Sequence, residues 1–230
     1  MASLAPYAQV FRRATADGSP TLVRDRDGLS YRSIHGARTE AEHVFVAGAG
    51  LDAGRGPRRV LEMGFGAGTN FAATVCARRG TGPLQYVGID AAPVGPDDLP
   101  CFDSLAHDLA VSATRAGQAR ADDVTLELRR VPFADVAADA DGFDAVYFDP
   151  FGPADEPRSW SVECFSAARA CLRPRGRLVS YAVAGWVRRN MAAAGLFVAT
   201  PPGPHGKRQF TLATVDPRLL DGHKIRNAPP

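Results

Sequence analysis

The chain has 230 residues, of which 45% are hydrophobic and 23% are charged, and its 27 basic and 25 acidic residues give a net charge of +2. This length suits one domain with at most a small addition, and the composition excludes a largely disordered chain. The weak positive charge does not by itself indicate nucleic-acid binding, for which a local basic face matters more than the total.

Several absences in the sequence bear on the compartment and on metals. The four cysteines form no C-x-x-C pair and lie among apolar residues, which indicates reduced thiols. Residues 1–9 lack the charged and apolar segments of a secretion signal, and no apolar run has the length of a bilayer span. The histidines show no metal-ligand spacing. We therefore expect a cytoplasmic protein with no metal and no membrane association.

The first 56 residues differ in pattern from the rest and are predicted to form a small extension. Two β-prone runs, residues 21–25 and 29–34, flank Asp27-Gly28, a pair that favours a hairpin turn. Thr39 is a good N-cap residue, and the sequence after it predicts a short amphipathic helix to residue 47. Closely spaced glycines then form a linker to a second segment, residues 57–217.

Strand and helix patterns alternate through residues 57–217. Strands are predicted at residues 59–63, 84–90, 124–129, 143–149 and 177–181, and helices at 69–79, 99–116, 159–172 and 185–194. A last strand within residues 207–215 is predicted to pair antiparallel with 197–199, and residues 218–230 are expected to be a loose tail. The order indicates an α/β fold with a doubly wound, mostly parallel, Rossmann-like sheet that binds ligands beyond the carboxyl ends of its strands.

A glycine-rich loop with Gly64, Gly66 and Gly68 follows the first predicted strand. Glycines at this spacing let the backbone turn tightly and approach a ligand, but the spacing does not match the dinucleotide fingerprint. Glu62, two residues before the first glycine, suits a positively charged amino-acid group better than a pyrophosphate. Asp90 ends the second strand, where a carboxylate can accept hydrogen bonds from both ribose hydroxyls. Together they predict a nucleoside site, the alternative being turn chemistry alone.

The fourth predicted strand ends on Asp149-Pro150-Phe151, which resembles the Asp-Pro-Pro-Tyr type of motif in methyltransferases that modify amino nitrogens. A nitrogen nucleophile has to be held close to the methyl group with its lone pair aimed at it. The Asp149 carboxylate can accept an N–H bond and stabilise the charge that develops, and the Phe151 ring can stack on a base. The alternative is that Asp149 caps a turn or a helix.

A basic set lies late in the chain. Arg188 and Arg189, after Trp186, are on the last predicted helix, and Lys207 and Arg208 precede the final strand. They are suited to form a phosphate-contacting rim, although charged residues on a helix are often only a solvated face.

Taken together, these motifs resemble the methyltransferase component of the MnmC/MnmD-type enzymes, the tRNA (5-methylaminomethyl-2-thiouridine) modification family. The resemblance is carried by residues 31–33, 36, 40–45, 62–71, 149–153, 157, 160, 184–189 and 206–208. It implies methylation of the aminomethyl nitrogen of a modified wobble uridine in tRNA, with S-adenosylmethionine as the methyl donor. It implies no flavin, and it leaves the preceding modification step to a separate oxidoreductase.

The resemblance also implies roles for individual residues. The cofactor would be held by Glu40, Glu62, Gly64, Phe65, Gly66, Gly68, Asn70 and Asp90. Asp149 and Phe151 would face the amine, and Trp160, Arg188, Arg189, Lys207 and Arg208 would contact tRNA. The chain departs from the family pattern at Pro150, usually glycine, and at Asp90, usually glutamate. Arg129-Arg130 stands where an acid is expected on the adenine side, for which Asp135 is a possible substitute.

Three alternatives stay open at this point. A methyltransferase of the same fold could act on a small amine or on another nucleic acid, which the Pro150 change favours. A non-catalytic domain could keep the fold as a scaffold, and the missing acid after the third strand favours this interpretation. A nicotinamide oxidoreductase is opposed by the glycine spacing.

Overall fold

The computed structural model describes residues 7–138, 141–203, 209–220 and 222–230, which form a nine-stranded sheet and a separate two-stranded hairpin. The strands are β1 (Val10–Ala14), β2 (Pro20–Arg24), β3 (Arg58–Met63), β4 (Leu84–Ile89), β5 (Gln118–Ala121), β6 (Val124–Arg129), β7 (Phe143–Phe148), β8 (Leu172–Ser180), β9 (Phe197–Ala199), β10 (Thr211–Thr214) and β11 (Ile225–Asn227). The helices are α1 (Ala37–Glu40), α2 (Thr69–Arg78), α3 (Ser104–Ala116), α4 (Val162–Ala170) and α5 (Gly185–Ala193).

The large sheet has the order β11-β9-β10-β8-β7-β3-β4-β6-β5. Its centre, from β8 to β6, is parallel throughout, whereas β10 lies antiparallel between β8 and β9. The central strands β3, β4 and β7 each end in four consecutive buried residues, as expected for strands that are covered on both faces. The doubly wound, mostly parallel sheet and its antiparallel last strand, both predicted from the sequence, are confirmed.

Each face of the sheet packs against helices in its own apolar layer. One layer lies under α2, α3 and the helical segment around Phe45, and it contains Phe71 and Tyr147. The other lies under α4 and α5, and it contains Phe148 and Trp160. The two layers hold the strands in register, so the loops after β3, β4 and β7 meet at one edge of the sheet.

The N-terminal extension contains the predicted hairpin and a second one before it. β1 pairs with β2, and the turn between them, which was not predicted, contains Asp17, whose carboxylate accepts hydrogen bonds from Thr15 and Ser19. The predicted turn at Asp27-Gly28 is confirmed: Arg24 N donates to the Leu29 carbonyl at 2.8 Å and Tyr31 N to the Leu22 carbonyl at 2.9 Å. The predicted second strand, residues 29–34, is shorter than expected, since its pairing with β2 is limited to the bridge between Val23 and Ser30 and these two hydrogen bonds.

The helix after the hairpin begins earlier than expected. α1 starts after Gly36, and the chain continues as a π-helix over Ala41–Ala47, with Gly48 N donating to the His43 carbonyl 3.1 Å away. Thr39 is not the N-cap, because its backbone N–H and hydroxyl both donate to Asp17 at 3.0 Å. Asp17 therefore fixes the hairpin to α1.

Several other elements differ from the sequence-based prediction. β8 begins at Leu172 and not at residue 177, and α4 is shorter than the predicted helix 159–172. α3 begins at Ser104, where Asp103 caps it, and not near residue 99. The edge strand β5 was not predicted, since its residues alternate between exposed and half-buried positions without a strong apolar pattern. Part of the tail that was expected to be loose is ordered: β11 pairs with β9. Among the described helices, none has the length and apolar character needed to cross a membrane.

Candidate active site

A cavity of about 720 Å³ opens at the carboxyl ends of β3, β4 and β7. It is lined by the glycine loop, by Asp90, and by the segment 149–151, and the N-terminal residues 7–9, 24–26 and 31–32 close it from above. This volume lies within the range of small-molecule and cofactor sites. The N-terminal extension is therefore part of the site and not an appendage.

The glycine loop is shaped by close approach to its neighbours. Gly64 has φ 101° and Gly66 has φ 52°, both in the region that favours glycine. A Cβ on Gly64 would collide with the backbone carbonyl of Asp149, and a Cβ on Gly66 would come 2.9 Å from the Tyr31 ring. The loop therefore lines the cavity with backbone that carries no side chain, at Gly64 next to Asp149 and at Gly66 next to Tyr31.

Asp90 is oriented by two backbone groups at the end of β4. Its Oδ2 accepts a hydrogen bond from Gly66 N at 2.9 Å, and its Oδ1 accepts one from Ala92 N at 3.0 Å. Burial raises the pKa of this carboxyl, while the two N–H bonds stabilise its charged form. The carboxylate is thus held in one orientation at the cavity wall, where a diol can donate to it.

A buried polar cluster lies under the cavity floor. Asn70 Nδ2 donates to Glu62 Oε1 at 2.7 Å and to Asp149 Oδ2 at 2.9 Å, and Tyr86 Oη donates to Glu62 Oε2 at 2.7 Å. Glu62 and Asn70 are fully buried and do not line the cavity. Direct cofactor contact stays a prediction for both, and in this structure β3 and α2 turn these side chains into the interior.

Arg32 supplies the positive charge of this cluster, and it lies in the segment 31–33 that carries the family resemblance, although the resemblance assigned it no role. Its guanidinium pairs with Asp149 Oδ2, and it lies 3.6 Å from Glu62 and 3.9 Å from Glu40. Its side chain is only 4% exposed, and it lies over the Phe45 ring. Four separate parts of the chain meet at this one side chain.

The cluster perturbs both of its buried acids. Burial raises the pKa of Glu62 to about 8, although Arg32 opposes that rise. Burial likewise raises the pKa of Asp149 to about 7, against the opposing effects of Arg32 and Asn70. Near neutral pH, Glu62 is therefore mainly protonated and Asp149 is poised between its two forms.

The two oxygens of Asp149 have different surroundings. Oδ2 accepts both protein contacts, one from Arg32 and one from Asn70. Among the described residues no group donates to Oδ1, and Asp149 lines the cavity. Oδ1 is therefore open to a donor on a bound molecule.

Phe151, two residues after Asp149, forms an aromatic wall that the hairpin holds in place. The Tyr31 ring meets it edge-on with centroids 4.9 Å apart, and the Arg24 guanidinium lies 4.0 Å from its centroid. Arg24 also donates to Glu156 Oε1 at 2.8 Å. Hairpin strand β2 is thus tied to both ends of the segment 151–156.

Trp160 does not face the cavity. It is fully buried between Phe148 and Phe165, and its Nε1 donates to the Phe151 carbonyl at 2.9 Å. The contact of Trp160 with tRNA stays a prediction, and the buried side chain offers it no support. Its role in the structure is to fix the backbone of Phe151, and Asn190 on α5 in turn donates to its carbonyl.

The far end of the cavity, beyond Asp90, is built from residues 91–92 and 132–134. Asp135 is exposed and is not among the lining residues, so the structure gives no support to it as a substitute for the missing acid. Arg130 lies over the Tyr7 ring, 4.8 Å from its centroid, beside this end.

The remaining predicted site residues are distributed as follows. Gly64, Phe65, Gly66, Asp90, Asp149 and Phe151 line the cavity, whereas Glu40 and Gly68 do not. Arg188 is partly buried and Arg189 is exposed, both on α5 at the same edge of the sheet. Lys207 and Arg208 lie outside the described residues. Motif analysis missed Arg24 as a site residue, and Tyr31 and Arg32 were part of the family resemblance without an assigned role.

Comparison with known proteins identifies the relatives of this chain. A family model described as S-adenosyl-L-methionine-dependent methyltransferase matches residues 109–216. The bifunctional protein MnmC of tRNA 5-methylaminomethyl-2-thiouridine biosynthesis from Cupriavidus necator is 34% identical, over 94% of this chain and 35% of its own length. The protein of the same name from Caulobacter vibrioides is 34% identical over 83% of this chain and 37% of its own. The chain spans about a third of these curated relatives.

Solved structures share the fold. MnmC2 from Aquifex aeolicus has a TM-score of 0.76 and 21% identity, over 98% of this chain and 75% of its own. A spermidine synthase in complex with a transition-state analogue has a TM-score of 0.58 and 15% identity, over 99% of this chain and 80% of its own. The chain belongs to the S-adenosyl-L-methionine-dependent methyltransferases, in the family represented by the methyltransferase part of MnmC.

Proposed function

We propose that this chain is an S-adenosylmethionine-dependent N-methyltransferase that acts on the aminomethyl nitrogen of a modified wobble uridine in tRNA. The observation that carries the proposal is the geometry of Asp149, whose Oδ2 is held by Arg32 and Asn70 while Oδ1 stays open on the cavity. A carboxylate oxygen presented in this way can accept an N–H bond from an amine and orient its lone pair.

The cavity fits the cofactor at two points. Asp90, fixed by Gly66 and Ala92, suits a ribose diol, and the bare backbone at Gly64 leaves room for a ligand beside Asp149. When bound, S-adenosylmethionine supplies a sulfonium methyl group: the acceptor nitrogen forms the new bond to carbon, and the carbon–sulfur pair returns to sulfur.

The residues around the acceptor then have separate tasks. Asp149 Oδ1 accepts one N–H of the amine and stabilises the positive charge that the nitrogen acquires. The proton that the nitrogen must lose can pass to Oδ1 or to water, and the pKa of about 7 suits Asp149 to that exchange. Phe151, held by Tyr31 and Arg24, provides an aromatic wall for the base that carries the amine.

The choice of tRNA rests on the relatives and on local charge. Relatives at 34% identity are named for tRNA 5-methylaminomethyl-2-thiouridine biosynthesis. Arg26 and Arg158 line the cavity mouth, and Arg188 and Arg189 on α5 have no carboxylate partner among the described residues. Arginines of this kind can contact phosphates. We propose that a separate oxidoreductase supplies the free amine and that the protein acts in the cytoplasm, where its acceptor would be found.

The direct test is transfer of a labelled methyl group from S-adenosylmethionine to three acceptors: tRNA with the unmethylated aminomethyl group, fully modified tRNA, and a small aliphatic amine. We expect label only in the first, with the wobble nucleoside gaining one methyl group by mass spectrometry. Label in the small amine alone would replace tRNA as the acceptor. Cofactor binding without transfer to any acceptor would favour a scaffold.

A further inference from the structure

Arg32 is a buried arginine that connects the acceptor acid to the rest of the site. It follows β2 in the hairpin extension, and its guanidinium reaches Asp149 after β7, Glu62 on β3 and Glu40 on α1. These contacts join parts of the chain that are far apart in sequence. The functional consequence of this connection rests on the proposed function of Asp149.

The stability of the fold does not by itself explain a charge at this position. Taking ions out of water costs several kcal/mol each, and buried ion pairs can often be replaced by apolar residues of similar volume without loss of stability. The ion pairs of Arg32 are not optimised for stability either. Its buried Nη1 makes no hydrogen bond within the described residues and only approaches Glu40 at 3.9 Å. The arrangement instead favours Nη2, which pairs with Asp149.

We propose that Arg32 is a positioning residue for the methyl transfer, holding Asp149 as a carboxylate with Oδ2 turned into the protein and Oδ1 turned toward the acceptor. Asn70 shares this task, since its Nδ2 donates to the same Oδ2 at 2.9 Å. Two donors on one oxygen fix the rotation of the carboxylate and leave the other oxygen for the amine.

The charges around Asp149 make Arg32 essential to its ionisation. Glu40 and Glu62 face it from α1 and β3, Tyr181 lies near it at the end of β8, and Asn70 contributes only a neutral donor. Arg32 is the one cation that contacts Asp149 within the described residues. Without it, burial and the neighbouring acids would raise the pKa of Asp149 further, and a protonated carboxyl could not stabilise the amine as it becomes positively charged.

The test compares Arg32→Met, which removes the charge at similar length, with Arg32→Lys, which keeps the charge but loses the forked donor. Arg38→Met is the matched control, because Arg38 is an exposed arginine on α1 that pairs only with exposed Glu42. In each protein the Asp149 carboxyl is titrated by carbon-13 NMR, assigned by difference with Asp149→Asn, and kcat is measured against pH with the aminomethyl tRNA.

We expect Arg32→Met to raise the NMR pKa of Asp149 by about one unit or more, as loss of an adjacent opposite charge does. At pH 7, kcat should fall about 5-fold or more and recover as the pH rises, while binding of S-adenosylhomocysteine changes little. Arg38→Met should match wild type in all three measurements. An unchanged Asp149 pKa in a folded Arg32→Met variant, or a loss of kcat equal at all pH values, would overturn the proposal.

Arg32→Lys decides the question if Arg32→Met does not fold. We expect it to keep the pKa of Asp149 near that of wild type and to lower kcat at every pH, because one compact ammonium cannot replace the geometry of the guanidinium. Wild-type values of both quantities would overturn the positioning role. The NMR titration needs neither cofactor nor tRNA, so the effect of Arg32 on the pKa of Asp149 can be measured whatever the acceptor is. If the protein methylated no tRNA, the proposed function would be rejected and the titration would still test Arg32.

Discussion

At the scale of single residues, Asp149 is the group on which the chemistry depends. Its carboxylate contacts Arg32 and Asn70 and, among the described residues, no glycine of the loop, so removing its charge should leave the cofactor wall intact. We predict that Asp149→Asn binds S-adenosylhomocysteine within about threefold of wild type and lowers kcat by about 100-fold or more, because the orienting acceptor is lost. Calorimetry and single-turnover methylation measure the two quantities. An undiminished rate would remove Asp149 from the mechanism.

Glu62 offers a test through stability instead of activity. Its pKa rises from the ordinary 4.5 to about 8 through burial, so between these values the folded protein holds a proton that the unfolded chain releases. The free energy of unfolding should therefore fall as the pH rises through this window and level off above it. We predict that Glu62→Gln, which cannot ionise, loses less stability between pH 5 and pH 8 than wild type in urea titrations. Equal losses in the two proteins would contradict the raised pKa.

Residues that local patterns reveal were predictable, and residues that act through long-range contacts were not. Asp90 and the glycine loop follow strands directly, so their position at the sheet edge could be predicted from the sequence. Arg32 lies in the segment 31–33 that carries the family resemblance, but its role could not be predicted, because its partners come from three other elements and its burial depends on how they pack. At Trp160 the motif position suggested contact with tRNA, whereas the side chain packs inside the protein, which the motif alone did not reveal.

At the scale of elements, the hairpin and the acceptor segment form one unit. Arg24 on β2 stacks on Phe151 and pairs with Glu156, and its side chain is 10% exposed. We predict that Arg24→Met lowers kcat/KM for tRNA by about 10-fold, through a higher KM or a lower kcat, and leaves cofactor affinity unchanged. Partly buried contacts of this kind are worth about 1–2 kcal/mol. Arg38→Met, at an exposed arginine of α1 that does not line the cavity, is the control and should have little effect. Equal effects of the two variants would contradict a specific role for Arg24.

Asp17 fastens the hairpin to α1. Burial alone would raise its pKa, but hydrogen bonds from Ser19, Thr15 and Thr39 hold the pKa of Asp17 well below its usual range. We predict that Asp17→Asn lowers the free energy of unfolding at pH 7 by about 1 kcal/mol, since charged hydrogen bonds are lost at an exposed site where solvent screens the charge. Asp108→Asn, on the exposed face of α3, is the matched control in urea titrations. If the two variants were equally stable, Asp17 would not be the group that fastens the hairpin.

The bounds of an element could be predicted from the sequence where its apolar pattern continues over several residues. β3, β4, β7 and α2 match their predicted bounds within one residue, because buried parallel strands read as continuous apolar runs. The first fifty residues hold two Asp-Gly pairs, and both turn the chain. The turn at Asp27-Gly28 was predicted, whereas the one at Asp17-Gly18 was missed because β1 is mostly exposed and has no apolar alternation. The contact of Thr39 with Asp17, which ties this turn to α1, is not local.

At the scale of the whole molecule, the sheet brings the cofactor loop, the acceptor carboxylate and the N-terminal extension together at one edge. β3 and β4 carry the glycine loop and Asp90, β7 carries Asp149, and the N-terminal extension closes the cavity over them. The predicted division at residues 56 and 217 remains an interpretation of sequence pattern. In the structure the extension contributes to the site through Arg24, Tyr31 and Arg32, and would not be removable without loss of function.

The central claim is that this edge of the sheet is a cofactor site, and calorimetric titration with S-adenosylhomocysteine tests it most directly. Asp90 is fixed at the wall by Gly66 and Ala92, so its carboxylate should hold the ribose hydroxyls. We predict micromolar binding to wild type and a loss of about 10-fold or more in Asp90→Ala, as expected when charged hydrogen bonds are removed. Wild-type protein that takes up no S-adenosylhomocysteine would contradict a cofactor site at this edge.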